Sequence, residues 1–149
     1  MVHEWRRDAF VVSTDPARLD LQVVHGFLTE AYWSPGIPRE VLERAIAHSV
    51  VFGLYEDRRQ IGFARVISDW ATFAYVCDVF VLESHRGRGL GSWLMSAVMM
   101  HPDLQGLRRW ILATRDAHGL YRKMGFTELN QPERLMERVL PDVYRARSS

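Results

Sequence analysis

Three glycines and two arginines lie close together in the stretch ESHRGRGLGSWLM, residues 83–95. Glycine at this density costs backbone entropy, and a helix usually begins with Ser, Thr, Asp or Asn as its cap. The free N–H groups and the positive dipole end of a helix attract anions, and a glycine-rich entry removes the Cβ atoms that would block them. The stretch therefore predicts a site for an anion, with a phosphate or pyrophosphate as the natural ligand.

Two common phosphate-binding patterns do not fit this stretch. The pattern GxxxxGK[ST] requires a Gly-Lys pair, which the sequence lacks. The dinucleotide pattern GxGxxG fails because Ser92 stands where the third glycine should be. The spacing that remains is Arg-x-x-Gly-x-Gly, formed by Arg86, Gly89 and Gly91 directly after a strand-like segment.

A second segment of interest is LYRKMGF, residues 120–126. It follows the glycine stretch after one predicted helix and one predicted strand. The phenol of Tyr121 is a plausible general acid for a departing thiolate. The alternative role for Tyr121 is that of a core aromatic on an amphipathic helix.

The elements that position these residues follow from hydrophobic periodicity and turn residues. Strands are predicted at 9–15, at 72–83, at 108–116 and, with a poorer period, at 133–140, and an antiparallel hairpin is predicted within 50–69. Helices are predicted at 18–33, 38–50, 90–100 and 117–126, and a frayed tail at 145–149. This order indicates a mixed α/β fold with one right-handed strand–helix–strand crossover.

The two segments together resemble the acyl-CoA-binding motifs of the GNAT family of N-acetyltransferases, [Gln/Arg]-x-x-Gly-x-[Gly/Ala] and Leu-Tyr-x-Lys-x-Gly-Phe. The resemblance covers residues 51–125 well. It implies an α/β GNAT fold, with a mixed, mostly antiparallel sheet of six to seven strands flanked by about four helices, in one domain spanning 1–149. It also implies acetyl-CoA as co-substrate, whose acetyl group passes to a primary amine of a small molecule or peptide by direct attack in a ternary complex.

The resemblance assigns roles to residues of both motifs. Tyr121 would be the general acid, and Thr114 stands where family members often carry an asparagine that contacts the pantetheine arm. The remaining residues implied in acyl-CoA binding are the strand residues Val79, Phe80 and Val81 and the loop residues Arg86, Gly87, Arg88, Gly89, Leu90, Gly91 and Ser92.

The proton of the acceptor amine needs a base, and the acceptor needs a pocket. Asp78 is the first candidate base because it is a carboxylate within an otherwise apolar strand, with a buried pair to an arginine as its alternative role. Glu30 is the second candidate, with a solvated helix face as its alternative. Tyr32, Trp33 and Phe73 are candidates for an aromatic acceptor pocket, or equally for core positions.

Composition excludes several other classes of protein. A net charge of +1 gives no overall positive electrostatic field that would attract nucleic acid. The one cysteine, Cys77, allows neither an internal disulfide nor a cysteine-based zinc site. The six histidines form no HxxH or HExxH pattern, so we expect no metal. No apolar run reaches the roughly 20 residues of a membrane span, and no signal peptide is evident. A cytoplasmic location is expected, and a homodimer is compatible with the family.

Other functions stay open at this point. The chain could be a non-catalytic acyl-CoA-binding regulatory module, an acyltransferase that uses another acyl-CoA or an alcohol acceptor, or a nucleotide-binding α/β domain. The sequence does not name the acceptor.

Overall fold

The computed structural model describes residues 1–148, and within them one six-stranded sheet is accompanied by five helices. The strands are β1 (Glu4–Arg7), β2 (Phe10–Ser13), β3 (Val50–Glu56), β4 (Arg59–Ser68), β5 (Phe73–Val81) and β6 (Arg109–Leu112). The helices are α1 (Leu21–Leu28), α2 (Arg39–Ala47), α3 (Leu90–Met100), α4 (His118–Lys123) and α5 (Val143–Ser148).

The strands lie in the sheet in chain order, from β1 to β6. The first five strands pair antiparallel, and β6 pairs parallel to β5. Tight turns join β1 to β2 and β3 to β4, with Asp8 and Asp57 in the left-handed backbone region that Asp tolerates. The parallel pair needs a long crossover instead, and α3 provides it.

Helices cover both faces of the central strands. Alternate residues of β3 point to opposite faces, so that Phe52 packs in the α3 layer while Val51 packs in the α1–α2 layer. Leu94 of α3 and Leu28 of α1 are fully buried in these two layers. Because both faces are covered, β3 and β4 are buried along most of their length and not only at alternate residues.

Most of the sequence-based expectations are confirmed. The mixed, mostly antiparallel α/β sheet is present, the hairpin is formed by β3 and β4, and α3 has the predicted bounds. The strand predicted at 9–15 corresponds to β2. Strand β1, which precedes it, was not predicted because EWRR shows no apolar alternation.

Two expectations at the C-terminal end are wrong. Residues 133–140 form no strand; a short 3-10 turn (Pro132–Arg134) precedes residues 135–140, which have no regular secondary structure and no strand partner among the described residues. A strand needs a neighbour to satisfy its backbone groups, which local propensity alone cannot supply. The tail predicted to fray belongs to α5 up to residue 148, and residue 149 lies outside the described residues.

The α3 layer yields the first testable prediction. Leu94→Ala removes a side chain with 0% exposure and should lower the free energy of unfolding by about 3 kcal/mol, because it leaves a cavity in the core. Met100→Ala on the same helix is the control, since Met100 is 60% exposed. Urea unfolding measures both. Equal stabilities for the two variants would contradict the assigned packing of α3.

Candidate functional site

Strand β5 loses its neighbour on one side halfway along its length. Pairing with β6 ends at Val76 and Leu112, while pairing with β4 continues to Val81. A register shift between Phe63 and Arg65 of β4 accompanies a left-handed Asp78, with φ of 55°. A bulge of this kind bends a strand locally, and the edge of β5 beyond Val76, which has no strand partner on the β6 side among the described residues, borders a cleft.

The glycine loop lies at the end of this open strand. Gly87 and Gly89 have φ angles of 81° and 74°, which explains why glycine is needed there. A Cβ atom on either residue would meet nothing within 4 Å. None of the described residues accepts a hydrogen bond from the N–H groups of residues 87–92. The loop therefore presents free donors, at the positive end of the α3 dipole, to open space, an arrangement suited to an anion.

Side chains on either side of the loop hold its entry in place. Arg86 donates from Nε to the carbonyl of Val81 at 3.0 Å. His85 is buried, with Nε2 2.9 Å from Glu56 and Nδ1 2.7 Å from the Ser84 hydroxyl. The hydrogen bond from His85 is the main cause that lowers the pKa of Glu56. His85 thus fixes the turn before the loop, a role that the sequence did not indicate because Glu56 lies far away along the chain.

A cavity of about 430 Å³ occupies the cleft between β5 and the segment after β6. Its walls come from the α1–α2 loop, from β5, from residues 112–117 and from α4. The residues proposed from sequence that line it are Tyr32, Trp33, Asp78, Val79, Thr114 and Tyr121. The structure thus brings residues from four separate parts of the sequence to one place.

Tyr121 lies at the α4 side of this cavity. Its ring is half-buried and packs edge-on against Phe126, with 6.0 Å between centroids. Burial, together with the nearby phenol of Tyr32, raises the pKa of Tyr121 above its ordinary value. The phenol therefore holds its proton at neutral pH, as a general acid must.

Asp78 is 8% exposed and has two strong partners. Trp33 donates from Nε1 to Oδ1 at 2.8 Å, and Arg65 donates from Nε to Oδ2 at 2.7 Å. Burial works against the charge of Arg65, but the Asp78 carboxylate outweighs it and raises the pKa of the guanidinium. Arg65 also donates to Ser49 at 3.0 Å, which links this pair to the end of α2. Arg65 is the one arginine in the largely apolar stretch QIGFARVIS. This position was the sequence feature that could have identified it as the partner of Asp78.

The α1–α2 loop forms a bridge across the cleft. Trp33 reaches Asp78 on β5, while the Tyr32 hydroxyl accepts from the backbone N–H of Arg115 at 3.2 Å. The guanidinium of Arg115 lies over the Tyr32 ring, 3.9 Å from its centroid. These contacts span the two sides of the opening and make the loop its aromatic wall.

Other proposed site residues lie elsewhere. Glu30 is exposed and does not line the cavity, and Phe73 lies at the opposite end of β5, where it pairs with Arg109. The side chain of Phe80 belongs to the core and stacks on Phe27 at 4.0 Å. Of these, only Phe80 lies next to the open strand edge.

Thr114 and Cys77 also line the cavity, and the two side chains differ in their chemical roles. Thr114 accepts the N–H of Ala117 at 3.0 Å and thereby caps the start of α4. Burial raises the pKa of the Cys77 thiol to about 12, so it is un-ionised at neutral pH. A buried, protonated thiol is a poor nucleophile.

One cluster of residues whose side chains are of the kinds that bind metals lies outside the cleft. His3, His101 and Asp103 bring one ligand atom each within 4.8 Å of the others. However, Nδ1 of His101 accepts the backbone N–H of Asp103 at 3.1 Å, and the rings of His3 and His101 meet edge to face. The hydrogen bond and the ring packing account for this arrangement.

Comparison with known proteins points to one family. Residues 47–128 match the family model described as an acetyltransferase (GNAT) domain. A provisionally named acetyltransferase from Gibberella zeae is 33% identical, over 80% of this chain and 79% of that protein.

Solved structures show the same architecture. A GNAT-family structure from Xanthomonas campestris pv. campestris, itself a provisional acetyltransferase, is 54% identical with a TM-score of 0.86, covering 97% of this chain and 96% of its own. A structure from Deinococcus radiodurans shares the fold at 24% identity and a TM-score of 0.71, covering 96% of this chain and 95% of its own. None of the helices described in the structure has the length and apolar character needed to cross a membrane.

The Asp78 contacts generate the second prediction. Asp78→Asn keeps an acceptor for Trp33 and tolerates the left-handed backbone, but it leaves the mostly buried Arg65 without its counter-charge. We expect unfolding free energy to fall by about 3 kcal/mol in urea denaturation.

Glu43→Gln is the matched control because it breaks an ion pair with Arg39 whose partners are both about half exposed. Such exposed pairs contribute at most about 0.5 kcal/mol. An Asp78→Asn protein as stable as this control would show that the buried pair does not support the bulge.

Proposed function

The chain belongs to the GNAT family of acetyl-CoA-dependent acetyltransferases, and from that premise we propose that it acetylates a primary amine of a small molecule or peptide by direct attack within a ternary complex. The observation that carries the proposal is the combination of three features at β5 and the cavity beside it. These are the unpaired edge of β5, the glycine loop with its free N–H groups, and the half-buried Tyr121.

The donor site is proposed to be made largely of main chain. The N–H groups of the glycine loop would hold the pyrophosphate, and Arg86 and Arg88 add positive charge beside it. The open edge of β5 at Val79 and Val81 would pair with the pantetheine arm as an added strand. The residues assigned to acetyl-CoA are Val79, Phe80, Val81, Arg86, Gly87, Arg88, Gly89, Leu90, Gly91, Ser92 and Thr114.

The reaction needs a hydrogen-bond donor to the carbonyl oxygen and a proton for the departing sulfur. Bound acetyl-CoA supplies the activated thioester carbonyl that the amine attacks. A backbone N–H near Val79, at the bulge, would donate to the carbonyl oxygen. Tyr121 would hold its proton at Oη and give it to the sulfur as the C–S bond breaks and the C–N bond forms.

The proton of the amine must leave as well. Both oxygens of Asp78 already accept hydrogen bonds from Trp33 and Arg65, so direct proton removal by this carboxylate would disturb one of them. Each oxygen keeps a further lone pair. We assign Asp78 the orientation of a water that carries the amine proton to solvent.

The acceptor would enter along the aromatic wall of Tyr32 and Trp33. Glu30 and Phe73 lie outside the cavity and have no part in this proposal. Cys77 offers no acyl-cysteine route, since its thiol is protonated. The proposal also includes a single domain over residues 1–149, with no metal and no nucleic acid as ligand. It includes a cytoplasmic location as well, which is in keeping with the one unpaired cysteine.

Gly89→Glu tests the donor site. A carboxylate at this position would face the phosphates and occupy the space before the free N–H groups, so calorimetric titration should show loss of acetyl-CoA binding. Gly106→Glu is the matched control, because Gly106 has the same φ of 74° and the same open surroundings in a different loop. NAD and ATP serve as ligand controls.

The outcomes of this titration separate the candidate functions. Binding of acetyl-CoA by the wild type and by Gly106→Glu, but not by Gly89→Glu, supports the assigned loop. Unchanged affinity in a folded Gly89→Glu protein refutes it, and binding of NAD or ATP without acetyl-CoA would indicate a nucleotide-binding domain.

Tyr121→Phe tests the general acid. Turnover should fall about a hundredfold while acetyl-CoA affinity changes little, because only the donated proton is lost. Since burial raises the pKa of Tyr121 above its ordinary value, loss of this acid should lower the wild-type rate only at a pH above that at which a free tyrosine ionises. Tyr55→Phe makes the same chemical change at a core tyrosine whose hydroxyl has no hydrogen-bond partner among the described residues, and should leave turnover unchanged. Turnover of Tyr121→Phe equal to wild type would remove the acid role.

A further inference from the structure

Arg115 is the one cation among the described residues that line the cavity beside β5. The two acids of the same wall are Asp116 and Asp78, of which Asp78 is neutralised by Arg65 at 2.7 Å. The remaining side chains of the wall are uncharged at neutral pH, including the Cys77 thiol. The charge of an acceptor in this cavity is therefore matched mainly against Arg115 and Asp116.

Two contacts with Tyr32 fix the position of Arg115. Its backbone N–H donates to the Tyr32 hydroxyl at 3.2 Å, and its guanidinium carbon lies 3.9 Å from the centroid of the Tyr32 ring. Arginine stacks on aromatic rings because the ring face is negative and the guanidinium is planar and weakly hydrated. The side chain is thereby held over the aromatic wall, although 64% of it is exposed.

The guanidinium N–H groups of Arg115 make no hydrogen bond with any described residue. Oδ2 of Asp116 lies 4.0 Å from Nη2, which is beyond hydrogen-bond distance. Both side chains of this pair are largely exposed, and such pairs are weak. A positioned guanidinium with an unbonded fork of donors suits a planar acid group, which it binds through two parallel hydrogen bonds.

The charges at this place favour a carboxylate over a phosphate. A phosphate monoester carries a charge of about −1.5 to −2 at pH 7, whereas a carboxylate carries a single negative charge. One guanidinium compensates one negative charge, and the nearby Asp116 repels a second. A second ammonium group, as in a polyamine, would in turn be repelled by Arg115. The acceptor that matches this wall is a monoanion.

We propose that the acceptor is a small amino acid, a molecule with a primary amine and one free carboxylate, and that Arg115 binds the carboxylate. This inference rests on the proposed acetyl transfer and names its substrate class. The carbon skeleton would lie along Tyr32 and Trp33, with the amine toward Val79 and Tyr121. The cavity of about 430 Å³ must also admit the acetyl end of the donor, so the space left suits a small molecule.

Transfer to such an acceptor balances without a further reactant. The C–N bond forms as the C–S bond breaks, Tyr121 gives its proton to the sulfur, and the amine proton leaves through the water assigned to Asp78. The products are an N-acetyl amino acid and CoA. The carboxylate takes no part in these steps, so Arg115 contributes to binding and specificity and not to the chemical step.

Matched acceptors test the proposal in a transfer assay with acetyl-CoA. Phenylalanine is compared with 2-phenylethylamine, and 4-aminobutanoate with propylamine, so that each acid stands beside the amine that lacks only its carboxylate. For at least one pair, the wild type should show a kcat/KM for the acid about tenfold or more above that for the amine.

Arg115→Gln should lower kcat/KM for the preferred acid about thirtyfold, because a charged hydrogen-bonded pair is lost. The change should lie in KM with kcat retained, since the carboxylate is bound equally in the ground state and the transition state. The matching amine should be acetylated as by the wild type, which shows that the wall and the catalytic groups are intact. Amines acetylated as well as their acids in both pairs, or an equal loss for acid and amine in Arg115→Gln, would overturn the proposal and leave acetyl transfer standing.

Two further variants and one further acceptor sharpen the assay. Arg44→Gln removes a positive charge from an exposed position of α2 and should leave both kinds of acceptor unaffected. Arg115→Lys keeps the charge without the planar fork and should retain more of the acid preference than Arg115→Gln. O-Phosphoethanolamine carries a phosphate in place of the carboxylate, and a preference for it over both acids would overturn the carboxylate assignment.

A binding measurement separates this inference from the proposed function. The protein saturated with CoA is titrated calorimetrically with the transfer products N-acetylphenylalanine and N-acetyl-4-aminobutanoate, with N-(2-phenylethyl)acetamide as the uncharged control. One of the acids should bind the wild type about thirtyfold more tightly than Arg115→Gln, and the uncharged amide should bind both proteins alike. Such binding without transfer to any amine would retain the carboxylate site and refute the proposed acetyl transfer. Equal affinity of wild type and Arg115→Gln for both acids would refute the carboxylate site.

Discussion

The pair between Arg65 and Asp78 is the interaction on which the cleft depends. A left-handed backbone in the middle of a buried strand is costly for any residue with a side chain. It persists here because the Asp78 carboxylate is held from two directions, by the guanidinium of a neighbouring strand and by the Trp33 indole. The bulge fixed in this way lies where the pairing of β5 with β6 has ended, beside the cavity and ahead of the glycine loop at the end of the same strand.

The same contacts connect the two halves of the site. In the proposed function, Trp33 belongs to the loop on the acceptor side, whereas the strand that it touches would carry the donor side. Arg115 completes the span from β6 through its contact with Tyr32. Contacts with Asp78 at one end and with Arg115 at the other therefore hold the aromatic wall in place, and its position is linked to the geometry of the bulge.

Much of this arrangement could be predicted from the sequence, for physical reasons that differ by element. The glycine spacing and α3 are local signals, because backbone conformation and helical period depend on neighbouring residues. The roles of Arg65 and Glu56 could not be read in this way, since their partners Asp78 and His85 are distant along the chain. The strand expected at 133–140 failed for the reverse reason: its composition is compatible with a strand, but a strand also has to pair with a neighbour, and composition does not determine that pairing.

In the proposed function, the glycine loop would recognise its ligand through main-chain N–H groups, whereas the opposite wall of the cleft consists of side chains. These two halves are free to diverge at different rates. Substitutions in the loop are restricted by backbone conformation at Gly87 and Gly89, but the identity of most side chains there matters little to an N–H group. Substitutions at Tyr32, Trp33 or Arg115 change the chemical character of the acceptor wall directly. Evolution can thus retain one acyl donor across relatives of this fold while it exchanges the acceptor.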